Sequence, residues 1–226
     1  MITDHSSAGT DPNQPAEVTA RTGKSAMTAI VQDEYGNAAD VLRLAEIDRP
    51  DIAAGEVLLR VHAAGVDRGV WHLMAGLPYP VRLAGNAIRA PKTKVRGREV
   101  AGTVVALGAD VTTLEVGDEV FGIGEGCFAE YAAARADKLA PKPTNLTFEQ
   151  AAAVSVSELT ALQAVRDGAE VQPGQHVLIV GASGGVGTFA VQIAKAFGAR
   201  GHRRVQHSES RRRPRRRRRP RHRLHP

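Results

Sequence analysis

The chain has 226 residues, 42% of them apolar, enough to bury the core of one large domain or two modest ones. Its formal charge of +6 combines a tail from Gly201 onward, with twelve Arg and one Glu, and a body of 200 residues at net −5. The single cysteine, Cys127, excludes an intramolecular disulfide and a cysteine-built zinc site, and no apolar run is long enough to span a bilayer; no membrane partner and a cytoplasmic location are expected.

Residues 1–26 are polar and mixed, without helix or strand period, and are expected to be disordered. Met27 then opens "MTAIVQDEYG", an abrupt strand-like start, which makes Met27 a candidate site of initiation. From Met27 to residue 146 short β-type runs are punctuated by Gly, Pro and Asp. "GEVLLRVHAAGV" places Val57, Leu59 and Val61 on one strand face, "REVAGTVVALGADV" is a second run, and Gly117-Asp118 turns into Val120 and Phe121. This spacing predicts an all-β, barrel-like domain.

At Thr147 the character changes. "TFEQAAAVSVSELTALQAVRDGA" has Thr147 as N-cap and a long Ala-rich pattern, predicting one continuous bridging helix. The connector "EVQPGQ" leads to the strand "HVLIVG". In the helix after it, Val186, Phe189, Ala190, Ile193, Ala194 and Phe197 recur at helical spacing, and Gly198 is the stop. Residues 147–200 therefore carry the first βα unit of a parallel sheet.

Between that strand and helix lies "GASGGVGTF", with Gly181, Ser183, Gly184, Gly185, Val186 and Gly187. A diphosphate needs to approach backbone N–H groups at a helix N-terminus, where a Cβ would obstruct it; a later glycine lets helix and strand pack closely. No Lys follows the glycines, which disfavours a P-loop. The plainer reading, a tight βα turn and nothing more, competes with dinucleotide binding at this point.

Taken in order, "AAGVDRG", "GREVAGTVVALG", "VGDEVFGI", "FAEYA", "LTALQA" and "GASGGVG" resemble the medium-chain dehydrogenase/reductase superfamily, most closely its zinc-independent, quinone oxidoreductase-like branch, over Met27 to Ala199. The resemblance implies a mixed α/β fold: a GroES-like catalytic domain (27–146), then a bridging helix and partial Rossmann domain (147–200), with NADPH or NADH between them. It implies reduction of a quinone, enone or related carbonyl by direct hydride transfer, with a small molecule as partner. It places Asp67 in the catalytic cleft and Thr160 near the nicotinamide, although a turn residue and a helix hydroxyl bonded to its own backbone are the plain readings. Asp67 and Arg98 stand where zinc-dependent relatives carry Cys and His, so no metal is expected, and His62 and His72 read as structural. Trp71 and Tyr79 read as packing, and Glu99 as a buried polar group bonded within the barrel. Relatives pair as homodimers through the Rossmann sheet edge, whose strands this chain does not show, which leaves its oligomeric state open.

The tail, residues 201–226, has two readings. Arg runs hold phosphate electrostatically, so non-specific nucleic-acid binding through it is one; without interleaved aromatics or a recognisable nucleic-acid fold, nothing more specific is expected. The other is a change of reading frame near codon 200. Every residue from Arg211 to Pro226 is Arg, Pro, His or Leu, whose codons can begin with C, as out-of-frame GC-rich codons do. Shifted back, Gly201 to His207 permits Val-Thr-Gly-Val-Cys-Ser-Thr, the kind of second Rossmann strand the resemblance requires. On this reading the tail is disordered, the Rossmann domain is truncated, and cofactor binding and activity are weak or absent. The strand end that chooses NADH or NADPH is then also missing.

Overall fold

The computed structural model describes residues 25–83 and 88–204. Strand β1 (Ala26–Val31) pairs antiparallel with β2 (Arg43–Asp48) across the short helix α1 (Ala38–Val41). A five-stranded antiparallel sheet follows in the order β6 (Tyr131–Arg135), β3 (Glu56–Gly65), β4 (Glu99–Leu107), β5 (Glu119–Ile123), β7 (Leu139–Pro141). Bridges at Ala29–Ala129 and Val31–Val95 fasten β1 to this sheet's loops. Register shifts in β3 at Leu58/Leu59 and Val61/Ala63 bend it around the core.

The β3 face read from the sequence points inward, with Val57 and Leu59 buried and Val61 half-buried against the same core. Val57, Leu59, Val100, Val104 and Val120 are fully enclosed, with Ala132 and Cys127 beside them. Burying Leu59 alone contributes about 2–3 kcal/mol. Cys127 lies in the turn between β5 and β6, not on a strand, and burial pushes its thiol up to about 12.

The 27–146 region is not all-β. Helix α2 (Arg68–Ala75) follows β3 directly, with α3 (Pro80–Leu83) behind it. Asp67 begins α2 as its N-cap and Gly76, at φ 64°, ends it. Those two signals were present in "DRGVWHLMAG", hidden among strand-like runs.

The expected bridging helix is also broken. Thr147 and Gln150 form a reciprocal capping box for α4 (Phe148–Ala152), which ends before Val154; α5 (Ser155–Leu162) then starts afresh and runs into a π-helical turn at Gln163–Gly168. Ala151 and Ala152 are buried against Ala101 of β4, with Phe121 and Phe148 alongside, and this contact takes α4 onto the sheet.

Beyond it, β8 (His176–Val180), α6 (Gly185–Ala196) and β9 (Arg200–Arg204) form a parallel βαβ unit. Val177 and Ile179 of β8 pack against a core of Ala161, Val165, Val171, Ala190 and Ala194. β9 carries the fold four residues past the expected boundary at Arg200, so residues 201–204 are strand and not disordered tail. Once Gly198 (φ 78°) stops α6, the chain returns beside β8, and the pairing uses backbone N–H and C=O groups whatever the side chains are. The expectations for residues 1–24 and 205–226 lie outside the described residues.

Candidate functional site

A cleft of about 780 Å³ separates the sheet domain from the βαβ unit. One wall is Val66 and Asp67, between β3 and α2, with Arg68 and Gly69 at the start of α2; the other is Val156 and Ser157 of α5 with the glycine turn before α6. The edge of β8 forms its floor.

Gly181 has φ 76°, a left-handed turn that sends the chain from β8 back toward α6. Gly184 is the N-cap of α6 and supplies no side-chain cap, and no acid lies in the first turn. The first N–H groups of α6 thus carry the positive end of the helix dipole toward the cleft. A Cβ on Gly187 would collide with the Gly181 carbonyl and lie 2.8 Å from the Ala182 Cα, so that glycine is what lets helix and turn meet. A Cβ on Gly185 would lie 3.1 Å from Ser157 Oγ, inside the cleft. These features form an uncapped, glycine-built cradle that side chains would fill, and it fits a dinucleotide diphosphate.

Gly181, Gly184, Gly185, Val186 and Gly187 all line the cleft, whereas Ser183 is exposed and not among its walls. Asp67 lines it too, half-buried, with its Oδ1 accepting from the Val70 N–H at 2.8 Å. Thr160 is not brought to the cleft: its hydroxyl donates to the Val156 carbonyl at 2.7 Å, one helical turn back. His62 Nε2 lies 3.0 Å from Thr103 Oγ1 and its ring stacks on Phe148; His72 Nδ1 lies 2.7 Å from the Leu77 carbonyl. Tyr79 is exposed rather than packed, and Arg68 lies over the ring of Trp71.

Sequence reasoning missed Ser157 and misplaced the bond made by Glu99. The Glu99 carboxylate, 2% exposed, leaves the sheet and accepts from the Val156 N–H of α5 at 2.8 Å. Burial pushes its pKa up, the Val156 N–H draws it part of the way back, and the charge of Asp67 adds to the rise. Ser157 carries no sequence signal of its own, because it enters the cleft only through the break between α4 and α5.

Residues 53–144 match the alcohol dehydrogenase GroES-like domain. The quinone oxidoreductase of Sus scrofa is 36% identical over 187 residues, covering 78% of this chain and 52% of the relative. The chain belongs to the medium-chain dehydrogenase/reductase superfamily. Within the superfamily it is quinone oxidoreductase-like. The Coxiella burnetii quinone oxidoreductase superposes with a TM-score of 0.71 at 34% identity, covering 79% of this chain and 56% of that one. The Escherichia coli quinone oxidoreductase, solved in complex with NADPH, superposes with 0.66 at 29% identity, covering 78% and 52%. This reductase-like chain thus spans about half the length of the curated relatives it matches. Among its described residues no helix is long and apolar enough to cross a membrane.

Proposed function

We propose that the chain is by descent an NAD(P)H-dependent oxidoreductase that reduces quinones, enones or related carbonyls by direct hydride transfer without zinc. The observation that carries this reading is the uncapped glycine N-terminus of α6, facing the Asp67 loop across the cleft. Gly184, Gly185, Val186 and Gly187 would hold the diphosphate on their backbone N–H groups, Gly181 would shape the turn beneath it, and the Ser157 hydroxyl would stand beside it. When bound, the reduced nicotinamide supplies the hydride. Asp67 keeps the Val66–Gly69 wall in place through its cap on α2, which orients the catalytic face of the cleft. Asp67 and Arg98 at the positions of zinc ligands in relatives support metal-free chemistry, because neither completes an N/S-rich ligand set.

The reading includes impaired turnover and a cytoplasmic, small-molecule role. Among the described residues the dinucleotide sheet has two strands, and Leu178 and Val180 are 63% and 64% exposed on it. Such a sheet supports the diphosphate end of a site better than a closed nicotinamide pocket. NADPH oxidation with a soluble quinone as acceptor tests the whole reading. Slow turnover that a chelator leaves unchanged and Gly185→Val abolishes is expected. Turnover lost to the chelator, or unaffected by Gly185→Val, would overturn it.

A further inference from the structure

Glu99 opens β4 and is enclosed at the root of the cleft, behind its walls rather than on them. Helix α5 receives no cap from its own N-cap residue, Val154; the acceptor for its Val156 N–H is Glu99 Oε1, 57 residues away in the other domain. The second oxygen faces the opposite wall. A Cβ on Gly65 would collide with Glu99 Oε2 and lie 2.6 Å from the Ala152 carbonyl oxygen. Gly65 is the last residue of β3, and Val66–Gly69, the first wall, follow it immediately. Val156 and Ser157, the second wall, hang on the other oxygen. One buried carboxylate therefore touches the roots of both walls, and through Ser157 it reaches the Gly185 cradle.

We propose that Glu99 is a positioning residue that fixes the separation of the two cleft walls by capping α5 from the sheet while packing over Gly65. It does not touch the cofactor. The link to cofactor binding rests on the reading of the cleft given above; the link between the walls does not. The bond needs an acceptor oxygen at this reach, not a net charge, so a glutamine retains it and an alanine removes it. Without it the first turn of α5 loses the acceptor of its Val156 N–H, and Ser157 is free to leave Gly185.

The test compares Glu99→Ala and Glu99→Gln in the full chain, at a temperature where circular dichroism finds both folded. Amide hydrogen exchange is measured without cofactor, and NADPH affinity separately. In Glu99→Ala, exchange at Val156 and Ser157, and at Val70, whose N–H is held by Asp67 on the first wall, rises about tenfold or more relative to the amides of Leu59 and Val104, and NADPH binding weakens roughly fivefold or more. Glu99→Gln stays within about twofold of the parent in both measurements. Unchanged exchange at either wall in Glu99→Ala overturns the proposal, as does a rise shared equally by Leu59 and Val104, which marks a general loss of stability. Loosened walls with undiminished NADPH affinity also overturn it. If the parent chain itself fails to bind NADPH, the cofactor reading falls, and the exchange pattern still decides whether Glu99 ties the walls together.

Discussion

Gly187→Ala sets two physical effects against each other. Gly187 is the third residue of α6, where alanine in place of glycine favours a helix by about 1 kcal/mol. On helix propensity alone the variant is more stable than the parent. The structure predicts the reverse, because the new Cβ would collide with the Gly181 carbonyl and stand 2.8 Å from the Ala182 Cα and the Gly181 carbonyl carbon. All three atoms are backbone, so no side-chain rotation relieves the contact, and α6 must move off the turn. Overpacking of this kind costs about 1–3 kcal/mol, and more where backbone has to shift. Because the contact is with backbone, the upper part of that range, about 2–3 kcal/mol, applies, and after the propensity gain of about 1 kcal/mol a net loss of about 1–2 kcal/mol is expected. Gly185→Ala is the internal comparison: its Cβ meets only Ser157 Oγ, at 3.1 Å, on a side chain that can turn away. Its stability should stay within about 0.5 kcal/mol of the parent. Urea unfolding of the three chains, followed by circular dichroism, measures both differences. A Gly187→Ala chain as stable as the parent or more so would refute the close packing of turn and helix.

Four further outcomes follow from particular residues. Thr147→Ala removes the capping box of α4 and should cost about 1 kcal/mol in urea unfolding, with Thr147→Ser recovering most of it. The Cys127 thiol, buried and pushed up to about 12, should resist iodoacetamide in the native chain and be alkylated in denaturant, read by mass spectrometry. Burial raises the Glu99 carboxyl above its ordinary 4.5, so the native state holds that proton more tightly than the unfolded state. For this group stability is greatest below 4.5 and falls as pH rises from 4.5 through the raised value; Glu99→Gln removes that slope, and its urea midpoint should gain on the parent's between about pH 4 and about pH 7. Nucleotide sequencing around codon 200 should find Rossmann coding sequence in the shifted frame; a frame that continues into no such sequence contradicts that reading of the tail.

The inward face of β3 was legible because burial on one side imposes a period of two, which Val57 and Leu59 carry; in β4 four successive residues, Glu99 to Gly102, are buried, so no such alternation marks that strand. The glycine turn was legible for a different reason: Gly181 takes a left-handed φ that favours glycine, and Gly187 sits where any Cβ would strike backbone. Helix α2 was not seen, because its Asp67 cap and Gly76 stop also serve as ordinary turn residues in a β-rich stretch. The division of the bridging helix could not be read locally. Val154 and Ser155 are acceptable within a helix, and the break is stabilised by Glu99, distant in sequence and recognisable only once β4 and α5 are side by side. The same distance hid Ser157. Thr160 is the converse case: a motif resemblance implies a place near the nicotinamide, whereas its hydroxyl donates along its own helix and it is not among the residues lining the cleft.

On the proposed function, the α6 N-terminus binds a dinucleotide diphosphate opposite the Asp67 loop. An NADPH titration of the isotopically labelled chain, followed through its amide resonances, tests this most directly. Saturable but weak binding, in the millimolar range, is expected, with the largest shifts at Gly184, Gly185 and Ser157 and smaller ones at Asp67, and their loss in Gly185→Val. Shifts scattered away from the cleft, or a Gly185→Val chain that binds as the parent does, would contradict it.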